Sequence, residues 1–119
     1  MIIEREKLKQ SILMVLADKE MLRILDCMME KPASVHDVIR QTDIPHTTTY
    51  RKIKWLLDAG LIIVERLEIS PEGKKFSLFS STIKSINAEH KNGKTTVKIE
   101  YNLNVEEKTA ARFFSLDRD

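Results

Sequence analysis

Apolar residues recur at helical spacing through the first half of the chain and alternate with polar ones through much of the second. From Ile3 to Leu16, Leu8, Ile12, Val15 and Leu16 share one side with Lys and Glu opposite, which predicts a first helix. Asp18 is placed to cap a second helix, in which Met21, Leu22, Leu25, Met28 and Met29 repeat at the same spacing. Pro32 is the expected stop, because proline disfavours the α conformation of the residue before it. Ser34 caps a short third helix with Val35, Val38 and Ile39 inward, and Thr42-Asp43-Ile44-Pro45 breaks the pattern. Asp43 tolerates the left-handed backbone that a tight turn there needs. A fourth helix runs from about His46 to Ala59 and stops at Gly60.

Beyond Gly60 the period changes. Leu61 to Ile69 and Lys75 to Ser81 read as strands joined by the turn Ser70-Pro71-Glu72-Gly73-Lys74, a hairpin with a basic tip. Asn92-Gly93 marks a second hairpin, since both residues of such a turn need positive φ. Pairing across it sets Ala88 opposite Val97, Ile86 opposite Ile99 and Lys84 opposite Tyr101 on one face. Asn87 with Lys98 and Ser85 with Glu100 share the other face, so the ribbon should be half-buried. Asn104-Val105-Glu106-Glu107 resembles a capping box before a C-terminal helix with Ala110, Phe113 and Phe114 inward.

The fourth helix carries the chemistry. With Thr49 at the centre of its buried side, Ile53, Leu56 and Gly60 fall within about 40° of it at helical spacing. Thr47, Arg51 and Lys54 then line the opposite face, with Tyr50 on one flank and Thr48 and Trp55 on the other. No acid appears from His46 to Leu57. Arg can grip guanine through two hydrogen bonds, hydroxyls and Lys can hold phosphates, and a helix N-terminus favours phosphate oxygens. The short helix and tight turn before it match a helix-turn-helix. A basic hairpin tip at Lys74 and Lys75 would lie along the backbone or enter the minor groove.

Length and composition narrow the choice. At 119 residues, with 42% hydrophobic and 32% charged, the chain suits one soluble domain with one modest core. The net charge of +2 means that nucleic-acid binding must come from local clustering. Cys27 is the only cysteine, which excludes an intrachain disulfide and a multi-thiolate metal site within one chain and fits a reduced, cytoplasmic setting. The apolar runs are too short to span a membrane, and the start is no signal peptide. There is no glycine-rich phosphate loop, GxSxG or HExxH, so an enzyme is not expected, and no cofactor or metal is implied. Glu65 and Glu68 should lie on opposite faces of their strand, which suggests no acid-base pair.

These motifs carry a resemblance. The Ala17-Asp18 before Leu22-Arg23-Ile24-Leu25, the Val35-His36-Asp37-Val38 helix, the Thr48-Thr49-Tyr50-Arg51 start and Ala59-Gly60-Leu61 resemble the winged helix-turn-helix of ArsR-like transcriptional regulators, archaeal relatives included. The resemblance covers roughly Ile12 to Ser81 and implies an α+β fold with the extra hairpin and terminal helices appended. The chain is then a single domain over 1–119, with a core at about 12–81 and a possible dimerisation element at 82–119. By the resemblance, His46, Thr47, Thr48, Tyr50, Arg51 and Lys54 would contact double-stranded DNA, with Lys74 and Lys75 as wing contacts. It also implies a homodimer built through terminal helices. Metal-sensing relatives carry paired cysteines in or near the DNA-binding helices, or His and carboxylate clusters at subunit contacts, whereas this chain has a lone Cys27 among core methionines. The alternative is a winged-helix adaptor that binds no DNA and uses Ile86, Val97, Ile99 and Tyr101 of the second hairpin as its partner surface.

Overall fold

The helical half resolves into α1 (Glu6–Leu16), α2 (Lys19–Cys27), α3 (Val35–Thr42) and α4 (His46–Asp58) in a computed structural model that describes residues 1–102. The strands follow as β1 (Ile62–Ile69), β2 (Lys75–Ser81), β3 (Ile83–Lys91) and β4 (Lys94–Tyr101). The expected C-terminal helix lies outside the described residues.

The local signals act as their chemistry dictates. Asp18 accepts the Met21 amide and so caps α2. Ser34 and Asp37 form a reciprocal capping box on α3, Asp standing where Glu or Gln is usual. Asp43 sits at φ 59° in the left-handed region and turns the chain from α3 into α4. The Thr42 hydroxyl donates to the Val38 carbonyl and accepts the Ile44 amide, which satisfies the buried turn.

Two helix boundaries differ from the sequence reading. α1 begins at Glu6 because Met1–Ile3 runs extended along β4: the Ile3 amide donates to Val97 (2.9 Å) and the Ile99 amide to Met1 (2.8 Å). Ile3 is nevertheless buried, so its apolar character reports a strand contact rather than a helix face. Leu16 is left at the exposed edge of α1. α2 ends at Cys27, ahead of Pro32, because the sheet claims the segment that follows. The Met28 carbonyl accepts the Ser81 amide, and Ala33 exchanges both backbone hydrogen bonds with Phe79 (2.9 and 2.8 Å).

β1 and β2 form one antiparallel hairpin and β3 and β4 another. In the second, Asn92 and Gly93 both take positive φ, and Ala88–Val97, Ile86–Ile99, Asn87–Lys98 and Ser85–Glu100 pair in the expected register. Lys84 does not face Tyr101. A register shift between Ile83 and Ser85 pairs Ile83 with Tyr101, keeping the apolar Ile83 in the core and Lys84 in solvent. A second irregularity between Val64 and Arg66 breaks the strict alternation on which the placement of Glu65 and Glu68 rested.

The core joins both halves. Ile12, Val15, Ile24, Met28, Leu56 and Leu61 are fully enclosed, and Val97 and Ile99 seal it from the second hairpin. Ile86 and Tyr101 pack against the same core, and Lys9 of α1 donates to the Thr95 carbonyl of β4 (3.1 Å). The hairpin face that the adaptor alternative would offer to a partner is thus covered by the protein's own helices. Helices α2 to α4, the Ala33 bridge and the β1–β2 hairpin together make an α+β winged helix-turn-helix.

Candidate nucleic-acid interface

Helix α4 is anchored by its back. Thr49, Ile53 and Leu56 are buried, as the phasing requires, and the Thr49 hydroxyl donates to the Pro45 carbonyl (3.0 Å). His46, Thr47, Tyr50, Arg51 and Lys54 are exposed, and Thr48 is half-buried. Tyr50 is 52% exposed, a large ring open to solvent beside the cationic line. Trp55 is half-buried and packs against the core edge. Lys54 pairs with Asp58 at 3.0 Å, but both side chains are well exposed. Such a surface pair is worth only about 0.2–1 kcal/mol, so Lys54 can exchange it for another anion.

Pro45 precedes α4 without any side-chain cap, whereas Asp18 and Ser34 cap α2 and α3, and no acid occupies its first turn. Its first amides remain available to an anion. Between α3, α4 and the wing lies an open groove of about 990 Å³, floored by Ile53, Leu78 and Phe79 and rimmed by charges of both signs, Lys54, Lys74 and Lys75 with Asp37, Glu68 and Glu72. Both wing lysines are exposed. The tip is ordered by its own backbone: the Ser70 amide donates to Lys74 (2.8 Å), the Gly73 amide donates to Ser70 (2.9 Å), and Gly73 supplies φ +83°.

Lys52, which the sequence analysis leaves unassigned, lies between Arg51 and Lys54 in the chain but not on their face: its side chain is only 11% exposed. Its ammonium binds Asp18 at 2.5 Å and Glu20 at 3.1 Å, tying the middle of α4 to the N-terminus of α2. Thr49 and Lys52 are one helical turn apart, which places Lys52 on the flank of the buried side. That flank position is the available signal; the acids, more than thirty residues away, leave no local trace. On the other side of the motif, Arg23 donates to the Thr42 carbonyl (2.5 Å) and holds the end of α3 at the turn.

The Lys52 hydrogen bond holds the Asp18 carboxyl below its ordinary range, against the opposing effect of desolvation, and the same bond raises the Lys52 ammonium. A carboxylate held low contributes stability that is complete above its unfolded value, near pH 4, and fades as pH falls through the folded value. Asp18→Asn should therefore cost about 1–3 kcal/mol near neutral pH, less than the 3–5 typical of a broken, fully buried pair. The gap between wild type and variant should close below about pH 4. Urea melts of both proteins across pH 3 to 7 check this, and a gap independent of pH would remove the ion pair as its cause.

Cys27 is half-buried beside the core, and burial raises its thiol pKa, which does not favour a reactive thiolate. His36 and His46 are both exposed. Among the described residues, no group of three or more His, Cys, Asp or Glu is placed to hold a metal ion, and no helix is long and apolar enough to cross a membrane.

Fold and surface together define a winged helix-turn-helix whose fourth helix presents a cationic, hydroxyl-bearing face. Residues 18–64 match the family model described as bacterial regulatory protein, arsR family. The match begins at the Asp18 cap and ends within β1, so it takes in the entire helix-turn-helix. It supports a DNA-binding transcription regulator rather than an enzyme. Searches of curated proteins and of solved structures returned no match.

Proposed function

We propose that this protein is a sequence-specific, double-stranded-DNA-binding transcriptional regulator that acts in the cytoplasm as a symmetric dimer. α4 would enter the major groove, with Arg51 reading a base and His46, Thr47, Thr48, Tyr50 and Lys54 gripping backbone and base edges. Lys74 and Lys75 would hold the flanking backbone or minor groove. The observation that carries this reading is the acid-free, exposed face of α4 from His46 to Leu57, opposite a buried back and beginning at an uncapped N-terminus. One point favours DNA over the adaptor alternative: the apolar face of the second hairpin is already spent on the core.

Salt dependence tests the wing. The slope of log affinity against log salt should fall by about 0.9 for each phosphate that the protein no longer neutralises. Lys74→Ala with Lys75→Ala should therefore flatten the slope by up to about 2 in anisotropy titrations on duplex DNA. A slope identical to that of wild type would take the wing out of the interface.

A further inference from the structure

Strand β1 presents an unusual edge. Ile69 and Leu67 are 66% and 63% exposed, the two most exposed large hydrophobic residues among those described, and Val64 adds 43%. The pairing with β2 places Val64, Leu67 and Ile69 opposite Phe79, Ser77 and Lys75, alternate positions on β2, so the three form one apolar stripe. Among the described residues β1 pairs only with β2, which leaves its outer row of amides and carbonyls open. The far edge of β2 is bridged by Ala33 and that of β4 by Ile2. The open edge of β3 carries Lys84, Glu89 and Lys91, charges of the kind that blunt strand pairing. From Ile62 to Ile69 there is no Lys and no Pro, and of its three charges, Glu65, Arg66 and Glu68, the last two are opposite in sign and paired with each other.

We propose that the β1 edge docks a second copy of this chain, with the two β1 strands antiparallel about a two-fold axis at Leu67. The charges select this register. About Leu67, Arg66 faces the partner's Glu68 and Glu68 faces the partner's Arg66. Moving the axis by one residue sets Arg66 against the partner's Arg66, or Glu68 against the partner's Glu68, and like charges directly opposite are destabilising. An axis between residues would put the two apolar stripes on opposite faces of the joined sheet. Within one chain Arg66 already bonds Glu68 at 2.9 Å, so the two share a face and can exchange partners across the axis. The product is a continuous four-stranded sheet, β2-β1-β1-β2, with a Leu67 pair at its centre. None of the eight candidate DNA-contact residues lies on β1, so this contact stands or falls apart from the DNA reading.

Cysteine cross-linking in a Cys27→Ser background of the full chain tests the register. Leu67→Cys should form a disulfide-linked dimer under mild oxidation, because the two thiols face each other. Ile69→Cys should not, because the two copies of that position are four residues out of register, about 13 Å apart. Arg66→Glu, and separately Glu68→Arg, should abolish the Leu67→Cys cross-link, and mixing the two variants should restore it by pairing all-acidic with all-basic strands. No link at Leu67→Cys, equal linking at both positions, persistence in either charge variant, or failure to recover on mixing would overturn the proposal. Recovery on mixing separates the contact from loss of the internal Arg66–Glu68 pair, which mixing cannot repair.

Discussion

Leu56→Ala is expected to destabilise the protein by about 2–5 kcal/mol, the usual cost of emptying a fully buried leucine site. Leu56 has no solvent exposure and belongs to the shared core, and its carbonyl accepts the Leu61 amide where α4 hands over to the wing. The cavity would therefore open where α4 and the β1–β2 hairpin meet, in a place held by both. A small domain has only about 5–15 kcal/mol of stability to lose, so the melting temperature should fall by roughly 10–30 °C. Leu57→Ala is the comparison: its side chain is 37% exposed on the same helix, and it should cost under about 1 kcal/mol. Urea denaturation of the two variants checks the phasing of α4, and equal losses would mean that its buried face is misassigned.

Arg51→Ala is expected to weaken binding to the preferred duplex by about 1–3 kcal/mol, roughly five- to 150-fold. Arg51 stands at the centre of the exposed face, with no acid on its own helix before Asp58. If it reads a base, the loss should be concentrated on the preferred site and small on a scrambled duplex. An equal loss on both would make it a phosphate contact, and no loss on either would remove it from the interface. Lys52→Ala is expected to act differently. Its cation is committed to Asp18 and Glu20, so its removal should lower stability without lowering the salt slope.

What the sequence discloses is what short-range chemistry dictates. The Ser34 box, the Asp43 turn, the Thr49–Ile53–Leu56 back and the Asn92-Gly93 hairpin each depend on residues within a few positions of one another. The cationic line of α4 is legible for the same reason, since helical phasing alone decides which side chains face out. The features that escape depend on partners distant in the chain. Ile3 looks helical until β4 offers an edge, and α2 seems to run to Pro32 until β2 claims Ala33. The irregularities at Glu65 and Lys84 have no compositional mark, because a bulge belongs to a pair of strands rather than to one. Lys52 escapes because its acids lie at the start of α2, across the motif.

The central claim is that α4 and the wing read a DNA sequence, and selection of bound fragments from a random duplex library tests it most directly. The account predicts enrichment of one short motif, repeated in inverted orientation with half-sites about one duplex turn apart, near 34 Å. It also predicts that Arg51→Ala relaxes the preference within each half-site. A library that emerges unenriched, from a protein that also fails to hold random duplex DNA at low salt, would contradict it.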